Sequence, residues 1–285
     1  MQVPLIAFLS DFGISDPYVA MVKGVIFTLN PHARVIDITH AISSQDVRQA
    51  AFVLKYSMDV FPSGTIFLSV VDPGVGSSRA GIIVQDNGRL FVGPDNGIFS
   101  AVLDNGRYVP CIAIDNTVIS GLAGSAGYTP EMSMTFHARD VFGPAAAMLS
   151  LGTRPGSLGT PLQKPVILRF PEPEIVRQEI LGCIVYFDHF GNAITNIPAS
   201  LLDDLHCRPG EYHVMLTDRS HEPIPFVSTY SQAAPGQLRF LVNSFNLLEI
   251  AVNCGSARHK LGLELDEGVR VVCGHAEKRH DYPGG

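Results

Sequence analysis

Apolar and polar positions follow two different rhythms in the two halves of the chain. In the first half, short segments rich in apolar residues at 5–9, 33–38, 65–71, 81–85 and 90–92 predict strands. Between them the spacing turns helical. Residues 18–29 form one such segment, and within 46–61 the side chains of Val47, Ala50, Ala51, Leu54 and Met58 fall on one helical face. A short helix is predicted near 98–103, and 141–151 reads as a helix of small residues packed closely on a neighbour. Strands alternating with helices predict an α/β fold, with an N-terminal, mostly parallel sheet covered by helices on both faces.

The rhythm changes after residue 152, where Pro155, Pro161, Pro165, Pro171 and Pro173 interrupt any helical periodicity. Beyond them come short strands at 179–187, 211–216, 237–241 and 269–273, separated by turn residues, the pattern of a small β-barrel or sandwich. The expected organisation is an N-terminal α/β domain over 1–160, a Pro-rich linker over 161–178 and a smaller, mostly-β, barrel-like domain over 179–280. A tail follows over 281–285, expected to be mobile.

Composition narrows the function. With 285 residues, 46% hydrophobic and 16% charged, the chain is apolar-rich and globular, and its net charge of −7 argues against nucleic acid as the main partner. The first ten residues lack the basic start and cleavage site of a secretory signal, and no apolar run approaches the roughly 18 residues of a membrane span. The five cysteines, Cys111, Cys183, Cys207, Cys254 and Cys273, are scattered and include no CxxC pair. They are expected to be buried and reduced, with the cytoplasm as the setting.

Five polar clusters stand where strands end or turns begin. In the most informative, Val70-Val71-Asp72-Pro73-Gly74-Val75-Gly76-Ser77-Ser78-Arg79, an apolar strand runs into a small-residue loop flanked by an acid and an arginine. Such a loop cradles a small polar molecule, or else holds a simple ion pair. Ser10-Asp11-Phe12-Gly13, with Asp16 and Tyr18 beyond it, offers a carboxylate for two ribose hydroxyls or an ordinary helix cap. Phe136-His137-Ala138-Arg139-Asp140 presents either a reactive histidine or a capping cluster. Asp188-His189-Phe190-Gly191-Asn192 supplies an amide and a ring suited to adenine, or only a β-turn. The fifth, Asn243-Ser244-Phe245-Asn246 with Glu249 and Asn253, is compatible with a binding edge or with a turn and helix cap. Metal-ligand spacings such as HExxH and CxxC, the GxGxxG and P-loop fingerprints and the GxSxG elbow are all missing.

Together, eight stretches in order (10–13, 37–40, 45–50, 72–79, 93–97, 135–142, 188–196 and 243–253) resemble the SAM hydroxide adenosyltransferases, the adenosine-forming S-adenosyl-L-methionine (SAM) hydrolases related to the SAM-dependent fluorinase and chlorinase. The resemblance implies hydrolysis of SAM to adenosine and L-methionine by in-line attack of an activated water or hydroxide at the ribose C5′. It implies that Asp72, Arg79 and His137 hold and polarise that water, that Asp11 binds the ribose and that Asp16 and Asp188 meet the methionine ammonium with Ser244 nearby. Phe190, Asn192 and Tyr230 would surround the adenine. It also implies SAM as substrate with no cofactor and no metal, and a homotrimer whose active sites form between the N-terminal domain of one subunit and the C-terminal domain of the next.

Several features separate hydrolase from halogenase. The halogenases carry an aromatic hydroxyl where Asp72 stands, lack the histidine at 137 and pack an indole near Gln45, whereas this chain has no tryptophan. The fluorinating enzymes also insert a loop after Arg79, where residues 80–90 here are short. Departures from the family pattern are Asn246, where Gly is common, together with Ala138 and Gly143. A sulfonium leaves as a neutral thioether, so the difficulty lies in the nucleophile, and the ordinary histidine pKa of about 6.5 makes His137 the better-matched proton acceptor beside Asp72. The alternatives are a SAM-binding module or sensor with negligible turnover, and a SAM-dependent halogenase.

Overall fold

The computed structural model describes residues 5–104, 108–129, 131–205, 207, 211–217, 219 and 221–273. The chain divides into two compact units, Met1–Arg169 and Phe170–Gly285. The tail at 281–285 lies outside the described residues.

The first unit is built on strands β1 (Leu5–Ser10), β2 (Arg34–Thr39), β3 (Ile66–Val70), β4 (Gly81–Asp86), β5 (Arg89–Pro94), β6 (Cys111–Ile114) and β7 (Gly159–Pro161). Its helices are α1 (Tyr18–Leu29), α2 (Val47–Ser57), α3 (Ser100–Leu103), α4 (Asn116–Ser125) and α5 (Gly143–Ser150). The sheet order is β2-β1-β3-β5-β4-β6-β7. Parallel pairing holds from β2 to β5, while β4, β6 and β7 pair antiparallel. The apolar strand runs follow from burial on both faces. Ile6, Phe8, Ile66 and Leu68 pack with Val22 and Ile26 of α1 and with α5, whereas the intervening Ala7, Leu9 and Phe67 pack with Ala50 and Leu54 of α2. The two-residue period of a strand thus serves two cores at once.

This topology gathers one edge. Ser10 and Val70 are register partners, so the segments that leave β1 and β3 begin side by side, at the carboxyl ends where open α/β sheets bind ligands. Because β4 runs antiparallel, its start at Gly81, and with it the preceding Arg79, returns to that same edge. α5 arrives through one π-helical turn, Ala138–Phe142, a form that recurs at functional sites. α5 packs closely on α1, since a Cβ on Gly143 would stand 3.3 Å from Val22 Cγ1.

The second unit contains β8 (Glu174–Val176), β9 (Glu179–Phe187), β10 (Ala193–Pro198), β11 (Tyr212–Leu216), β12 (Ile224–Pro225), β13 (Leu238–Val242), β14 (Leu247–Val252), α6 (Ala257–Leu261) and β15 (Gly268–Cys273). The sheet runs β12-β11-β15-β9-β10-β14-β13, with β8 beside β9, and every pair of these strands is antiparallel. A bridge between Phe226 and Phe240 brings its two ends together, giving a nearly closed barrel around Ile184, Ile197, Val214, Phe240, Ile250 and Val271. β8, β10, β12 and β14 add to the four strands predicted there; residues 243–246 of the fifth polar cluster form the turn, while Glu249 lies on β14 rather than in a helix cap.

One expectation is corrected here. Cys207 and Cys273 are joined by a disulfide with Cα atoms 5.8 Å apart, and Cys254 is exposed, so the cysteines are not uniformly buried and reduced. The cause is register. Antiparallel β11 and β15 pair Tyr212 with Cys273, bringing that end of β15 close to the segment entering β11. The cytoplasmic expectation loses the support it drew from reduced thiols. Cys111 remains buried, and desolvation pushes its thiol up to about 12. Among the described residues no helix is long and apolar enough to cross a membrane.

Candidate active site

In the first unit, a cleft of about 340 Å³ lies at the carboxyl edge, lined by Asp11, Gln45, Asp72, Phe136 and His137 among others. The loop from Asp72 to Arg79 closes on itself, with the Val75 N–H bonded to the Asp72 carbonyl and the Ser77 N–H to that of Gly74. Gly76 adopts φ 77°, and a Cβ there would stand 2.4 Å from the Met134 carbonyl. Only glycine lets this loop lie against the segment leading into His137.

Three side chains meet at the cleft. The Arg79 guanidinium grips Asp72 with two prongs, Nε donating to Oδ1 at 2.9 Å and Nη2 to Oδ2. The same Nη2 stands 2.9 Å from His137 Nδ1. A guanidinium only donates, so Nδ1 accepts and the neutral imidazole carries its hydrogen on Nε2. Burial lowers the His137 pKa, the Arg79 charge lowers it further, and Asp72 and Asp140 pull weakly the other way. Burial and Arg79 thus favour the neutral ring. Arg79 also lies over the Phe142 ring, 5.1 Å from its centroid. Asp72 and His137 face the cleft, whereas Arg79 joins them from behind.

Asp11 also lines the cleft, and its Oδ2 accepts the Gln45 N–H at 2.8 Å. Gln45 holds a left-handed conformation, φ 66°. Asp16 is exposed before α1 and does not line the cleft. The helix-cap alternative for Asp11 is not realised, since α1 is entered from Pro17 without a side-chain cap.

The second unit has a larger cleft of about 950 Å³, where Asp188, Phe190, Asn192, Tyr230 and Ser244 all meet. Asp188 Oδ1 accepts the N–H groups of Phe190 and Asn192 at 2.9 Å each, and its Oδ2 accepts Asn192 Nδ2 at 2.9 Å. Asp188 therefore orients the Asn192 amide. Gly191, at φ 80°, allows the turn to pass Ser256, whose Oγ would stand 2.1 Å from a Cβ. Phe190 is 72% exposed at the cleft, its ring edge-on to that of His189.

Glu249, named in the fifth polar cluster but given no role of its own there, lies in this second site. It is 2% exposed on β14, its Oε1 accepts the Tyr230 hydroxyl at 2.7 Å and its Oε2 accepts Asn243 Nδ2 at 3.2 Å. Burial raises its pKa and the Asp188 charge adds to that, while both hydrogen bonds oppose the rise. Only its place in the strand pattern, opposite Leu241 and Ile194, could have announced it. Asn246 takes φ 58°, a left-handed turn that asparagine sustains. Among the described residues no group of three or more His, Cys, Asp or Glu is arranged to hold a metal ion.

The chain matches the SAM hydroxide adenosyltransferase N-terminal domain over residues 6–159 and the C-terminal domain of the same family over 182–270. It is 38% identical to the (R)-S-adenosyl-L-methionine hydrolase of Thermus thermophilus, over 93% of this chain and 98% of that protein. Identity to the fluorinase of Actinoplanes sp. is 26%, over 94% of this chain and 97% of the other. The crystal structure of an uncharacterized conserved protein from Thermotoga maritima superimposes with a TM-score of 0.86 at 33% identity, covering 94% of this chain and 99% of that one. On sequence match over both units, and on fold, the chain belongs to the SAM hydroxide adenosyltransferase family.

Proposed function

We propose that the protein hydrolyses SAM to adenosine and L-methionine by attack of water-derived oxygen at the ribose C5′. The observation that carries this reading is the Asp72–Arg79–His137 contact set at the edge of a cleft that also contains Asp11. A sulfonium needs no acid to depart, so catalysis reduces to holding water in line and managing its proton. Holding the oxygen at a near-attack distance of about 3 Å supplies several kcal/mol.

In this reading the proton goes to Asp72 rather than to His137, the acceptor expected from sequence. The Nδ1 lone pair of His137 is occupied by Arg79, leaving Nε2–H as a donor, so His137 positions the oxygen rather than accepting its proton. Asp72 is the group that takes it. Each of its oxygens accepts one Arg79 N–H and retains a second lone pair for water. Arg79 holds both partners and contributes a fixed positive charge that favours a hydroxide-like oxygen.

Asp11 binds the ribose hydroxyls from the first unit. In the second unit Phe190, Tyr230 and the Asp188-oriented Asn192 receive the adenine, with Ser244 toward the methionine end. Asp188 meets the ammonium, and Asp16 does so from its exposed position at the start of α1. These candidate residues divide between two clefts, and neither cleft alone holds both sets. That division supports two functional domains, the α/β one at 1–160 and the β one at 179–280. It also supports a homotrimer in which one subunit's first unit meets the next subunit's second.

The decisive experiment is incubation with SAM in oxygen-18 water, with chloride or fluoride added in parallel, followed by mass spectrometry. Adenosine with one heavy oxygen at the 5′ position, together with methionine and no 5′-halogenated nucleoside, supports hydrolysis. Recovery of intact bound SAM would replace it with a binding module.

A further inference from the structure

We propose that His40 is a positioning residue for this reaction, clamping together the two loops that hold Asp11. The proposal rests on the reading of Asp11 as the ribose-binding carboxylate. Ser10, at the end of β1, is fully buried, and its Oγ lies 2.7 Å from His40 Nδ1. On the other side of the ring, His40 Nε2 lies 3.1 Å from Asp37 Oδ1 in ion-pair contact, and Lys23 Nζ holds Asp37 Oδ2 at 2.7 Å. The Phe8 ring packs edge-on against the imidazole at 4.7 Å between centroids.

Serine, histidine and aspartate in a row suggest a nucleophile, but Ser10 has no exposed surface for a substrate to reach. The chain of contacts points into the fold instead. Nδ1 of the ring shares a hydrogen bond with the Ser10 hydroxyl, and the Ser10 oxygen also accepts the Phe12 N–H at 3.4 Å. The His40 carbonyl accepts the Gly13 N–H at 2.8 Å. Five residues on, the Gln45 N–H closes the set on Asp11 Oδ2 at 2.8 Å. These ties enclose Asp11 between residues 10–13 and 40–45, and His40 takes part in them with both its ring and its backbone.

A buried histidine that only stabilises the fold would lower the melting temperature without acting on any one carboxylate. The test is therefore a double-mutant cycle on SAM turnover, with His40→Leu, His40→Asn and Asp11→Ala singly and combined. Leucine removes the bond to Ser10, whereas an asparagine amide can still reach it. The expected result is a roughly tenfold or larger rise in KM for His40→Leu, substantial recovery in His40→Asn and little further change when His40→Leu is added to Asp11→Ala. An unchanged KM in folded His40→Leu, or an equal KM rise with and without Asp11, would overturn the proposal. Should His40→Leu fail to fold, Ser10→Ala enters the same cycle with the same expected non-additivity. If the unmodified protein does not turn over SAM, the hydrolase reading fails separately. The cycle is then read as adenosine affinity by calorimetry, with the same outcomes deciding for or against the clamp.

Discussion

Arg79 Nη2 contacts His137 Nδ1 at 2.9 Å, across 58 positions of sequence, and this contact fixes which imidazole nitrogen carries the hydrogen. In the proposed mechanism Arg79 thereby links Asp72, the proton acceptor, to His137, which steers the oxygen. Lysine cannot replace it, because one ammonium cannot present two parallel N–H prongs to Asp72 and also reach His137. Arg79→Lys is expected to lower kcat for SAM hydrolysis by about 100-fold. Steady-state kinetics with a thermal melt alongside would separate this from unfolding.

The same contact has a consequence for acid stability. Burial and Arg79 lower the His137 pKa, so below about pH 6.5 the unfolded chain takes up a proton that the folded ring resists. This group's contribution is intact above the ordinary histidine value and is lost as pH falls below it. Urea midpoints measured at pH 7.5 and 5.5 should therefore fall more steeply with acid for the parent than for His137→Asn. Equal slopes would mean that the ring is not held neutral.

In the second unit, the partly exposed Tyr230 donates its hydroxyl to the buried Glu249 at 2.7 Å. Tyr230→Phe removes a donor from a carboxylate that has little access to water and is expected to cost about 1–3 kcal/mol. Glu249→Gln, which removes the charge, should reduce the effect of Tyr230→Phe when the two are combined. Denaturant unfolding of the four proteins in the cycle measures that coupling.

Asn246 offers a backbone test. At φ 58° a β-branched side chain is strained, so Asn246→Val is expected to destabilise by about 1–2 kcal/mol, whereas Asn246→Gly should be close to neutral. Chemical denaturation of both variants reads this directly, and equal stability of Val and Asn at 246 would contradict the conformation.

The local elements were legible because each depends on neighbours in sequence. The helix predicted at 18–29 is α1, the strand predicted at 179–187 is β9, and Asp72 and Arg79 stand close together around a turn that their own glycines permit. The eight ordered motifs likewise pointed to the family without any coordinates. What sequence could not reach were pairings made by topology. The antiparallel β4 returns Arg79 to the edge where β3 ends, and the π-helical turn brings in His137 so that its Nδ1 is already occupied. An ordinary histidine pKa favoured His137 as proton acceptor because sequence does not show that Arg79 contacts its Nδ1. Glu249 had no role of its own in its polar cluster until β14 paired on both sides and buried it, and Cys207 and Cys273 looked unrelated until β11 and β15 aligned. The sequence by itself determined elements, turns and family, since these follow from local sterics, periodicity and ordered motifs. Only the tertiary structure decided which polar atoms are already engaged, because hydrogen-bond capacity is finite and is spent on whatever the fold brings within reach.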